Sequence, residues 1–139
     1  MKIEKIDHIA IMVQDLKKAE KFFGELLETR FAALGEINDM DARSMMEPSG
    51  IEIIEPLSPD GVSARTLQKR GEGLSLLSLK VADLDEAMAE MKSRGIRLTA
   101  QGQRGKLRMA IYHPKDTFGV MIELIEYETQ HPAVSAGKD

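Results

Sequence analysis

His8, Glu52 and Glu123 are the residues of this chain whose types and placement can do chemistry. They fall at matching points of a segment that occurs twice. Asp7 to Leu16 aligns with Ser75 to Leu84 at an offset of 68, and Ile51 to Glu55 aligns with Ile122 to Glu126 at an offset of 71. Glu52 then lies over Glu123, and His8 over Leu76. An imidazole and two carboxylates on one face form a donor set for a cation, suited to hard divalent ions such as Mn²⁺ or Mg²⁺. Carboxylates that converge repel, so the pair must protonate or meet a positive charge. Lys80, on the strand face of Leu76, is the side chain placed to supply one. The fourth equivalent position, Leu76, has no donor atom, and its neighbour Ser75 points to the opposite face by strand alternation.

These residues are carried by strands. Residues 2–13 alternate as a strand, with Ile9, Ile11 and Val13 on one face and Ile6, His8, Ala10 and Met12 on the other. Asp15 caps a helix whose apolar positions are Leu16, Ala19, Phe23, Leu26 and Leu27. Strands are predicted over 31–37, 42–46 and 51–56. The second copy repeats the order: a strand over 74–81, a helix from Asp83 stopped by Gly95, and strands over 96–99, 108–113 and 119–126. A short helix is expected over 63–69. The chain therefore reads as one domain over 1–139, with a βαβββ unit over 3–56, a linker over 57–73, a second unit over 74–127 and a tail over 128–139. The fold class is α+β: two units pairing into a curved, eight-stranded sheet with helices outside and a cleft inside. If Ile9, Ile11, Val13, Leu77, Leu79 and Val81 pack on the helices, then His8, Ala10, Met12, Leu76, Ser78 and Lys80 line the cleft.

The 139 residues suffice for a core without cross-links, and none is cysteine, so disulfides and thiolate metal sites are excluded. No signal peptide and no apolar run of membrane-spanning length is present, which leads to the expectation of a cytoplasmic protein without a membrane partner. A formal charge of -4 and few aromatic residues argue against nucleic acid. Nine methionines point to an adaptable apolar interior.

Ile6-Asp7-His8-Ile9-Ala10, Ile51 to Pro56, Lys69-Arg70-Gly71-Glu72-Gly73-Leu74, His113-Pro114-Lys115 and Gly119 to Leu124 together resemble the vicinal oxygen chelate superfamily, and within it the methylmalonyl-CoA epimerase branch. The resemblance covers roughly residues 3–127. It implies a divalent cation (Mn, Co, Zn, Ni or Mg) held by a His on the first strand, Gln or Glu on the fourth, His on the fifth and Glu on the eighth. Those places are His8, Glu52, Leu76 and Glu123 here, so one ligand is replaced. The implied reaction removes the proton next to a thioester carbonyl and returns it to the other face, with Glu123 as ligand or base. A second base falls at Asp39, with Glu36 as a neighbouring choice. The implied ligand is an acyl-thioester or another carboxylate, met by Leu76, Ser78, Lys80, Arg108, His113 and Lys115, with Arg104 and Lys106 as further basic groups for coenzyme A phosphates. A homodimer is implied. Leu76 also fits a second function: a drug-sequestering relative of the superfamily that binds a small ligand without chemistry.

Overall fold

Alternating side chains over Ile3–Met12 form strand β1, and Asp15 turns the chain into helix α1 (Leu16–Leu26) by accepting the Lys18 amide at 3.1 Å. The structure is a computed structural model that describes residues 1–37 and 40–128. After α1 come β2 (Ala32–Ile37), β3 (Ala42–Met46), β4 (Ile51–Pro56), α2 (Val62–Arg70), β5 (Gly73–Val81), α3 (Leu84–Ser93), β6 (Leu98–Arg104), β7 (Leu107–Tyr112) and β8 (Met121–Glu126). The class is α+β, with strand order β2-β3-β4-β1-β5-β8-β7-β6.

The second copy shows why its helix starts and stops where the sequence places it. Asp83 accepts the Glu86 amide at 2.9 Å. At the other end Gly95 takes φ 73°, its amide reaches Lys92 O at 3.0 Å, and the Ile96 amide reaches Met91 O at 3.1 Å. That bond pattern is a Schellman motif, which requires a left-handed residue after the cap and therefore selects glycine. Ile96 packs with Met91 in the same apolar cluster, completing it.

Two local expectations are corrected. Leu26 is 62% exposed, and Leu27 is the C-cap of α1 and exposed, so neither belongs to the packed stripe; Leu16, Ala19 and Phe23 carry it alone. The sixth strand runs over 98–104 rather than 96–99, because pairing with β7 holds the polar stretch Gln101 to Arg104 extended. Gly105, at φ 59°, begins the two-residue turn that joins Arg104 to Leu107, a hairpin position where glycine is preferred.

By compactness the described chain falls into two units that cut across the sequence repeat. One holds residues 1–8 with those from Leu76 onward, and the other holds residues 9–75. Strands β1 and β5 each contribute to both, and the stretch expected as a linker carries α2.

In the unit containing His8, β5 runs parallel to β8 and β8 antiparallel to β7. Val81, Ala110, Tyr112 and Leu124 pack under Leu84, Ala87 and Met91 of α3. Burying Leu84 contributes roughly 1.5–3 kcal/mol. With alternation set by that face, Leu76, Ser78, Glu123 and Ile125 emerge on the other. In the unit containing Glu52, Val13, Phe31 and Ile53 pack against Leu16 of α1. Ala10, Met12, Ala42, Ser44, Met46, Glu52 and Ile54 form its opposite, buried face. The division of faces read from alternation holds in both units.

Candidate active site

The side chain of Glu123 leaves β8 opposite Ser78 of β5, and the Ser78 hydroxyl donates to Glu123 Oε1 at 2.6 Å. His8 Nε2 lies 3.3 Å from the same oxygen. On its other side the imidazole is held by Asp7, with Nδ1 2.7 Å from Oδ2. The Tyr127 hydroxyl donates to Asp7 Oδ1. Asp7, His8 and Glu123 side chains are only 3%, 5% and 8% exposed. Among the described residues no buried side-chain nitrogen or oxygen is left without a partner.

Burial pushes the Glu123 carboxyl above the ordinary range by penalising its charged form, and the neighbouring His8 charge and the Ser78 bond offset part of that rise. Nε2 and Glu123 face each other across 3.3 Å, where either an imidazolium donates to the carboxylate or the carboxylic acid donates to a neutral imidazole. A carboxyl raised toward neutrality and coupled to an imidazole is suited to accept and release protons.

Glu52 belongs to the other unit, where β4 places it beside Ala10 of β1 and the Ser44 hydroxyl donates to its Oε2 at 3.3 Å. Leu76 is buried on the Ser78 face of β5 and supplies no donor. Among the described residues no group of three or more His, Asp and Glu side chains is gathered to hold a metal ion. The donor set thus does not fit the resident cation that the resemblance implies, and no chemical step below runs through one.

The remaining sequence-derived residues sit elsewhere. The Lys80 ammonium pairs with Glu4 and lies 4.7 Å from the Tyr127 ring centroid, so its charge is placed there rather than on the glutamate pair. Arg108 is on the α3 side of β7, bound to Asp85 at 2.6 Å and 3.7 Å from Glu126, in a groove of about 310 Å³ lined also by Leu84, Met88 and Gln103. His113 Nδ1 accepts the Lys115 amide at 3.1 Å and caps the turn over Pro114–Asp116; Lys115 itself is exposed. Asp39 lies outside the described residues. Asp7 and Tyr127 were not singled out from sequence: alternation sends Asp7 to the face opposite His8, and Tyr127 follows the last strand.

The family model of the Glyoxalase/Bleomycin resistance protein/Dioxygenase superfamily matches residues 7–113, most of the chain and including His8 and Glu52. The chain belongs to that superfamily. The structure of methylmalonyl-CoA epimerase from Mycobacterium tuberculosis is 30% identical, with a TM-score of 0.80 over 92% of this chain and 91% of that one. A Streptomyces coelicolor methylmalonyl-CoA epimerase variant in complex with 2-nitronate-propionyl-CoA is 26% identical, with a TM-score of 0.81 over 92% and 97%. In sequence, a Bacillus subtilis protein of uncharacterized function, YqjC, is 28% identical over 89% of this chain and 93% of its own length.

Proposed function

We propose that this protein is an epimerase acting on an acyl-coenzyme A thioester of the methylmalonyl type. The observation that carries the reading is the buried His8–Glu123 pair, with a glutamate whose proton affinity burial has raised. Its likeness over nearly the full length to epimerases, one solved with a 2-nitronate-propionyl-CoA ligand, supports the substrate class.

In the proposed reaction the Glu123 carboxylate takes the proton from the carbon between the substrate's carboxylate and thioester. The C–H electron pair moves into the carbonyl to give an enolate. A second acid then returns a proton to the opposite face of that carbon, and Asp39 is the residue proposed for it. While Glu123 holds the substrate proton, the adjacent imidazolium offsets the enolate's charge, an effect strengthened by exclusion from water. Ser78 keeps Oε1 of Glu123 oriented. The proposal carries with it a homodimer in the cytoplasm.

Proton NMR of methylmalonyl-CoA in deuterated buffer tests the reading directly. The wild-type protein is expected to exchange the α-proton, and Glu123→Gln to slow that exchange at least about a hundred-fold, the usual scale of general base catalysis. Leu76, an alkyl group at a ligand position, favours the second reading of a binding protein. Saturable binding of the thioester without exchange would establish that reading and overturn the enzyme.

A further inference from the structure

We propose that Asp7 and Tyr127 are positioning residues that hold the His8 ring in one tautomer, with the proton on Nδ1 and Nε2 directed at Glu123. For its effect on turnover, the inference rests on the reading of His8 and Glu123 given above; for the tautomer it stands on geometry alone.

A histidine on a strand can rotate about its side-chain bonds and can carry its proton on either nitrogen. Here both freedoms are removed. Asp7 Oδ2 sits 2.7 Å from Nδ1, a distance typical of a charge-assisted bond, so the proton is drawn to that nitrogen. Asp7 is itself buried and cannot rely on water to keep its charge or orientation. The Tyr127 hydroxyl supplies what water would, donating to the other oxygen and fixing the carboxylate plane. Burial and the neighbouring Asp7 charge raise the Tyr127 phenol well above its ordinary value, so it remains a donor. Lys80, 4.7 Å from its ring centroid, and Lys5, at 5.9 Å, add favourable cation–π contacts that hold the ring in place. The brace thus joins β1 to the residue that follows β8, the strand bearing Glu123, across 120 positions of sequence.

Nitrogen-15 NMR of ring-labelled histidine at pH 7 tests the tautomer, with His8 assigned by its loss in His8→Gln. The wild type is expected to show a protonated Nδ1 with a slowly exchanging hydrogen. Tyr127→Phe keeps the ring and its cation contacts but removes the hydroxyl; hydrogen exchange at Nδ1 is expected to quicken at least ten-fold. Asp7→Asn can donate as well as accept, and is expected to shift His8 toward the Nε2–H tautomer. Thioester exchange in both variants should lose about ten-fold or more in kcat with little change in KM, the loss usual when a carboxylate supporting a functional histidine is removed. Asp7→Glu, which restores the carboxylate, should recover part of it. A wild-type ring protonated on Nε2 alone, or folded Tyr127→Phe and Asp7→Asn proteins with unchanged His8 resonances, would overturn the brace. If the wild type proves inactive on thioesters, the resonances still decide the tautomer, so failure of the enzyme reading is told apart from failure of this one.

Discussion

Replacing Leu76 by histidine would add an imidazole to the face of β5 from which Ser78 reaches Glu123. Leu76 pairs with Met121, two positions before Glu123, so the new donor would stand diagonally from the carboxylate. Affinity for Mn²⁺, Co²⁺ or Zn²⁺ is expected to rise at least about ten-fold by calorimetric titration, since a neutral imidazole replaces an alkyl group. Truncating a buried leucine to alanine costs about 2–5 kcal/mol, and a side chain of similar bulk should cost less. No gain in a folded variant would place Leu76 away from any cation position.

Helix α3 and the turn before β8 offer two tests of how local chemistry holds an element. Asp83→Ala removes the bond to the Glu86 amide and is expected to lower stability by about 1 kcal/mol, while Leu84→Ala should cost roughly 2–5 kcal/mol, both read from urea midpoints. In the turn, Arg97 binds Asp116 through Nε at 2.8 Å, a second guanidinium nitrogen at 3.1 Å and its own amide at 3.0 Å. These bonds hold the Asp116 carboxyl at about 2, below its ordinary 3.8. A depressed carboxyl stabilises the fold above its unfolded value and loses that effect as acid protonates it. The Asp116 contribution should therefore be complete above about pH 4 and fade toward pH 2, and Asp116→Asn should flatten that part of the urea-midpoint profile. A profile identical in the variant would refute the assignment.

Because β1 and β5 each serve both compact units, neither sequence repeat contains a complete unit. Residues 74–139 lack the first eight residues, including His8, and residues 1–73 keep a β1 whose beginning belongs with the later strands. Calorimetry of the intact chain is expected to show one cooperative transition. Fragments divided between Gly73 and Leu74 should lack stable structure separately and recover their far-ultraviolet circular dichroism on mixing. Two independent transitions, or a second fragment that folds alone, would contradict this coupling.

The repeat, the βαβββ order, the caps of α1 and α3 and the division of strand faces were legible because each is written in local spacing: two residues for a strand, three to four for a helix, and an aspartate before the first turn of α1 and of α3. The spans of β3 and β4 were read end to end for the same reason. His8 and Glu123 were legible as chemical groups, through the offset that aligns the copies. Their partners were not. Lys80 meets Glu4 across 76 positions and Tyr127 meets Asp7 across 120, while Arg108 turns to Asp85 on the helix side. Periodicity tells which face a side chain leaves, but the atom it meets depends on how distant strands are registered and how far each side chain reaches. Only folding brings those together, and with them the imidazole of His8 and the carboxylate of Glu123.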